Sequence, residues 1–167
     1  KIKINNIIKT LDKLKSASGR FEEIIYKKKS SKIIIDYAHT PDAMQNVLKS
    51  YTNKSFKPSL VFGCGGERDK SKRKKMSVIA NKYAKKVYLT DDNPRNENAN
   101  LIRKTLKKYC QKARDISNRR LAIQTAISEM HQKDILIIAG KGHEKYQIIK
   151  NKNYLFDDFK VAKDFIK

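Results

Sequence analysis

Ile33-Ile34-Ile35-Asp36-Tyr37-Ala38-His39-Thr40-Pro41-Asp42-Ala43 joins a strand, a polar rim and a helix start within eleven residues. The isoleucine triplet is a strand-sized apolar run. Thr40 is placed to cap the helix that follows, because its hydroxyl can accept from an unpaired N–H of the first turn. Pro41 suits the first helical position, where its missing N–H has no intrahelical partner to lose. The strand therefore delivers Asp36 and His39 to the edge of a sheet. In a parallel α/β sheet, ligands sit beyond the carboxyl ends of strands, where loops converge and helix amino-termini point N–H groups outward.

On both sides of this corner the chain alternates between two kinds of segment. Residues 21–26, 32–35, 59–62, 87–90 and 135–139 read as strands, and 43–51, 73–84, 100–109 and 119–131 as helices. Such alternation predicts an α/β fold with a mainly parallel sheet flanked by helices. Residues 146–149 and 154–156 flank the turn over 150–153 and predict a carboxy-terminal antiparallel hairpin, with a last short helix near 161–166. At the other end, Ile4, Ile7, Ile8, Leu11 and Leu14 recur at helical spacing until Ser16, Ala17, Ser18 and Gly19 break the pattern, so residues 1–17 read as a last helix and linker before a domain over 18–167.

A chain of 167 residues is the size of one ordinary domain. Its longest apolar runs fall far short of the roughly 20 residues that cross a bilayer, and residues 1–17 lack the apolar centre of a secretory signal. A cytoplasmic protein with no membrane contact is expected. Cys64 and Cys110 stand far apart in no metal-binding or redox pattern, and read as reduced, non-catalytic thiols. The formal charge of +22 would suit a nucleic-acid partner. Lysines spread along the whole chain, however, and abundant Lys, Asn and Ile follow from an AT-rich coding sequence, so a solvated surface without specific nucleic-acid binding is the expectation.

Three more strand ends carry polar clusters. Gly63-Cys64-Gly65-Gly66-Glu67-Arg68-Asp69 follows one, Asp91-Asp92-Asn93-Pro94-Arg95 the next, and Gly140-Lys141-Gly142-His143-Glu144 the last. Singly, each has a plainer explanation. Asp36 and Thr40 can cap a helix, His39 and His143 can be structural, and Asn93-Pro94 is a turn signal. The glycine loop lacks the spacing of a nucleotide P-loop or a full dinucleotide fingerprint. Turns need Gly, Asn or Pro, but they do not need Arg68, Arg95 and Glu144 at one sheet edge.

Gly19-Arg20-Phe21-Glu22 and the four clusters, in this order and at these separations, resemble the MurE-type Mur ligases from about residue 18 to the end. Residues 1–17 resemble the end of that family's central ATPase domain. The resemblance implies a Rossmann-like carboxy-terminal domain that presents an amino acid to an ATP-activated UDP-MurNAc-dipeptide. It assigns Arg20, Asp36 and His39 to the nucleotide. Arg68, Asn93, Arg95, Gly140 and Glu144 become contacts of meso-diaminopimelate, and no catalytic residue or metal ligand is assigned to this domain. The family uses ATP and Mg2+, and the resemblance implies that its P-loop, Mg2+ ligands and modified lysine belong to the central domain, which with the amino-terminal domain is expected elsewhere in the same chain.

The assigned chemistry suits the residue types. A guanidinium offers forked donors to phosphate or carboxylate, and an ionised carboxylate is a pure acceptor for sugar hydroxyls. Diaminopimelate differs from lysine by a second carboxylate, so Arg95 would lose its partner if lysine bound, at a cost on the order of 3–5 kcal/mol for a buried charge. Glu144 would hold an ammonium. The lysine-adding branch of the family usually lacks an arginine after Asp-Asn-Pro, and a lysine-adding ligase or a basic nucleic-acid-binding module are the alternatives. Glu67, Ser71, Lys74 and Phe159 depart from the family's usual Asp, Gly, Pro and Arg, and Ser71 puts the loop shape at Arg68 in question.

Overall fold

The protein is described by a computed structural model over Ile4 and residues 17–167. Apart from Ile4 and Ala17, the helix and linker expected over residues 1–17 lie outside the described residues. Six strands make one sheet in the order β1 (Glu22–Tyr26), β2 (Ser31–Asp36), β6 (Ile135–Ala139), β3 (Ser59–Phe62), β4 (Val87–Leu89) and β5 (Arg114–Asp115). All neighbours are parallel except β1 and β2. The expected α/β class and mainly parallel sheet are what the chain adopts.

Side chains alternate between the faces of a strand. Ile34, Leu60, Phe62 and Ile137 enter the core beneath α1 (Pro41–Ser50), α2 (Ser71–Tyr83) and α3 (Ala99–Tyr109). Ile33, Ile35, Val61, Leu136 and Ile138 enter the opposite core beneath α4 (Arg119–Ser128) and α5 (Asp158–Phe165). An isoleucine triplet without polar alternation is thus the signature of a strand covered on both faces.

Thr40 caps α1 as expected, its Oγ1 accepting from Ala43 N at 3.3 Å. Asn98, Asn118 and Asp157 cap α3, α4 and α5 in the same way. Helix α2 starts two residues before the expected position, because Asp69 Oδ1 accepts from Ser71 N at 2.8 Å and closes the turn after Arg68. Helix α4 ends three residues early. Asp134 Oδ2 accepts from His131 N at 2.8 Å, and Lys133 at φ 61 turns the chain into β6.

The expected hairpin is present as β7 (Tyr146–Ile149) and β8 (Lys152–Leu155), with β8 starting two residues sooner than its apolar run because Lys150 takes φ 53 and tightens the turn. Strand β5 and a 3-10 turn over Lys27–Lys29 were not legible in the sequence; at two and three residues they carry no period. Cys64 and Cys110 are buried free thiols, and burial pushes Cys64 up to about 12, far from thiolate chemistry at neutral pH. Among the described residues no helix is long and apolar enough to cross a membrane.

Candidate functional site

Strands β2, β6, β3 and β4 are successive neighbours, so the four polar clusters emerge side by side. Gly140 N donates to Asp36 O at 3.1 Å and Thr90 N to Phe62 O at 3.0 Å, carrying the ladder into the loops. Between the loops lies a cavity of about 620 Å³ lined by Arg68, Asn93, Arg95, Gly140 and Glu144, together with His39. That volume is in the range of small-molecule sites. Arg68, Arg95, Lys72 and Lys75 face Asp42, Asp69, Asp92 and Glu144 across it, a mixture of signs suited to a zwitterion rather than to a plain anion.

Arg95 is half-buried and sits at φ 51. The hairpin holds it there, since Arg95 N donates to Ile148 O at 3.1 Å and Lys150 N donates to Arg95 O at 2.8 Å. Its Nη1 donates to Gly66 O at 2.9 Å and Asn93 O at 3.3 Å. Nε and Nη2 remain to donate to a ligand. Asn93 Nδ2 donates to Glu144 Oε2 at 2.9 Å, and Gln147 Nε2 ties β7 to Asp92 O at 2.6 Å.

Of the paired aspartates only Asp92 reaches the cavity. Asp91 is ion-paired with Arg103, which also binds Asp115 through Nε at 2.6 Å. Burial raises the Asp91 carboxyl above its usual range, and Arg103 offsets this only in part. Glu97 closes the neighbouring loop. Against desolvation, which would raise it, the Glu67 N–H and the buried Arg73 guanidinium hold the Glu97 carboxyl below its usual range.

The glycine loop fits this arrangement closely. Gly66 N donates to Asn93 O at 2.9 Å, and a Cβ there would stand 2.0 Å from Pro94 O. Gly66→Ala is expected to destabilise the fold by about 1–3 kcal/mol in urea unfolding, since two backbones must separate to admit the methyl group. An unchanged unfolding midpoint would show that the loops have room to spare.

Arg20, Asp36 and His39 gather at the β2 end of the site. Asp36 is buried, its Oδ1 accepting from Ala38 N at 2.8 Å and its Oδ2 from Phe21 N at 2.9 Å. Each oxygen retains a lone pair. The Arg20 guanidinium lies 5.6 Å from the Tyr37 ring, which stacks tilted on His39 at 4.6 Å and on His143 at 5.0 Å. Gly19 packs so tightly on the last loop that a Cβ would stand 2.0 Å from His143 N. The nucleotide and amino-acid candidates are therefore contiguous.

Sequence reasoning missed Tyr37, Asp92, Lys72 and Lys75 as lining residues. The signal for Asp92 was its place beside Asn93; Lys72 and Lys75 lie one turn apart on α2 and were legible only as surface charge. It also missed a buried ion pair. Arg119 donates to Asp158 through Nε at 2.8 Å and through Nη2 at 2.7 Å, with Nη2 also bound to Ala139 O at 3.1 Å, next to Gly140.

Residues 19–142 match the family described as Mur ligase, glutamate ligase domain. A UDP-N-acetylmuramoyl-L-alanyl-D-glutamate--2,6-diaminopimelate ligase of Rickettsia rickettsii is 45% identical over 168 residues, covering 98% of this chain and 34% of that protein. A ligase of the same name from Buchnera aphidicola subsp. Baizongia pistaciae is 45% identical over 169 residues, covering 98% and 33%. A solved structure of a ligase of that name superposes with a TM-score of 0.80 at 36% identity, covering 99% of this chain and 34% of the other. A folylpolyglutamate synthase of Thermotoga maritima, at a TM-score of 0.60 and 21% identity over 84% of this chain and 31% of its own, shares the fold. The chain spans about a third of the length of the curated relatives it matches.

Proposed function

Because the chain belongs to the family of Mur ligase glutamate ligase domains, we propose that residues 18–167 are the carboxy-terminal, amino-acid-presenting domain of an ATP-dependent amide ligase. Residues 1–17 would then end the domain before it. The ligase adds meso-diaminopimelate to UDP-MurNAc-L-Ala-D-Glu in peptidoglycan precursor synthesis in the cytoplasm, where ATP and UDP-linked precursors are available. One observation carries the reading: Arg95, Asn93 and Glu144 face a single cavity with Gly140 and Arg68. Those five residues bind diaminopimelate, with the far carboxylate on Arg95 and an ammonium on Glu144. Arg20, Asp36 and His39 supply half of the ATP site.

In the reaction, ATP phosphorylates the glutamyl side-chain carboxylate, giving ADP and an acyl phosphate. The free amine of diaminopimelate attacks the acyl carbon, the tetrahedral intermediate expels phosphate, and the nitrogen loses a proton as the amide forms. This domain contributes position: it holds the amine against the acyl phosphate, and such alignment accounts for much of the catalysis of a two-substrate step. Among the described residues no three His, Cys, Asp or Glu side chains gather as a metal ligand set; the family's Mg2+ ligands would belong to the central domain.

Two measurements test the reading. Calorimetric titration of the chain is expected to give at least about tenfold tighter binding of meso-diaminopimelate than of lysine, since an Arg–carboxylate pair contributes more than a neutral hydrogen bond; equal affinities would overturn it. The 167-residue chain is expected to show no ligase turnover and very weak ATP binding, because it holds no phosphate-activating loop. Amide formation by this chain would sink the division of labour.

A further inference from the structure

We propose that Lys141 is a positioning residue for this site: its buried ammonium orients the Asn93 amide and the Glu144 carboxylate, so that Asn93 offers a ligand only an N–H and Glu144 only a free oxygen. The inference rests on the amino-acid-pocket reading and assigns the polarity of that pocket to a side chain outside the cavity lining.

Lys141 is wholly buried, alone among the described lysines. Its Nζ donates to Asn93 Oδ1 at 2.9 Å and to Glu144 Oε2 at 3.0 Å, and lies 6.0 Å from the Tyr146 ring centroid. Asn93 Oδ1 also accepts from Ile148 N at 2.9 Å. Two donors occupy both lone pairs of that oxygen. They also fix which way the amide points, because a rotated amide would turn its own NH2 group against them. Asn93 Nδ2 spends one hydrogen on Glu144 Oε2 at 2.9 Å, and its second hydrogen is left for a ligand carboxylate. Glu144 Oε2 is saturated in turn by Asn93 and Lys141, leaving Oε1 of a partly exposed side chain for a ligand ammonium.

A buried lysine is an expensive way to fill space. Well-packed apolar residues of similar volume are often neutral or stabilising in place of a buried ion pair, so packing alone does not account for an ammonium here. Without it, Asn93 Oδ1 keeps only the Ile148 N–H as a donor, one of its lone pairs is released, and the amide is held less firmly with its N–H toward the ligand. Glu144 also loses the cation that holds Oε2 down and Oε1 out.

The test is Lys141→Met in the 167-residue chain, titrated calorimetrically with meso-diaminopimelate and followed by thermal melting and the side-chain amide resonances of Asn93. Binding is expected to weaken about 10- to 100-fold, as for loss of charged hydrogen bonds behind a site. Melting should fall modestly, by less than for a fully buried pair because Glu144 is partly exposed, and the Asn93 amide resonances should shift toward those of a mobile side chain. Lys141→Gln keeps a donor without the charge and is expected to fall between the two; it replaces the methionine variant if that one does not fold. A folded Lys141→Met chain that binds as tightly as the unaltered one, with Asn93 resonances unmoved, overturns the inference and leaves the function reading intact. Failure of both variants to fold would make Lys141 a folding residue and likewise overturn it. If the unaltered chain binds no diamino acid, the function reading falls first and takes this inference with it.

Discussion

Replacing Arg95 with alanine is expected to erase most of the preference for meso-diaminopimelate over lysine that we propose for this cavity. The far carboxylate of diaminopimelate would lose its forked partner, while lysine would no longer strand an unpaired guanidinium. Full burial would make that stranding cost several kcal/mol. Arg95 is half-buried and its Nη1 already rests on the Gly66 and Asn93 carbonyls. The loss is therefore set nearer that of a charged hydrogen-bond pair, about 2–3 kcal/mol, or roughly 30- to 150-fold in relative affinity. Alanine tolerates the positive φ no worse than arginine does, since both carry a Cβ, so the loop should keep its shape. Calorimetry with both amino acids gives the ratio directly. Arg95→Lys supplies a point charge without the fork and should restore only part of it. A ratio unmoved by Arg95→Ala would take this guanidinium out of the pocket.

Asp158→Ala is expected to cause the largest loss of stability, about 3–5 kcal/mol. The Arg119 and Asp158 side chains are both wholly buried, and the Arg119 Nη1 atom already lacks a hydrogen-bond partner. Burial, the largest influence on Arg119, disfavours its charge, but Asp158, joined by Asp92 and Glu144, more than offsets this and raises the guanidinium above its usual range. Removing Asp158 leaves a cation in the core with only the Ala139 carbonyl and the more distant Asp92 and Glu144 charges to offset it. Against a typical domain stability of about 5–15 kcal/mol, the variant should unfold at far lower urea. The double variant Arg119→Met with Asp158→Leu should recover most of the loss, because apolar replacement of a whole buried pair is often neutral. Equal unfolding midpoints for Asp158→Ala and the unaltered chain would show that Arg119 finds another partner. Arg119 also holds the Ala139 carbonyl just before Gly140, so diaminopimelate binding should weaken in the single variant and return in the double.

Much of the site is legible in the amino-acid sequence. Asp36, Arg68, Asn93, Arg95, Gly140 and Glu144 can be placed at strand ends because each lies just after an apolar run in a cluster that holds a glycine, a proline or a cap, and those signals act over a few residues. What escapes are features made by distant segments. Lys141 reads as one more lysine in a chain of charge +22. Its burial depends on the hairpin, whose Ile148 N–H shares Asn93 Oδ1 with it across 55 residues. Arg119 reads as the first residue of a helix and Asp158 falls before the helix expected near 161–166, and nothing local pairs two positions 39 apart.

Element type, caps and the charge of each strand-end cluster are written into the chain, because apolar period and turn chemistry are short-range properties. Strand order is not. Inserting β6 between β2 and β3 sets Gly140 beside Asp36 and brings Glu144 within 2.9 Å of Asn93. That neighbour relation is chosen by burying both faces of the central strands at once, a condition on the whole sheet that no single stretch of sequence contains.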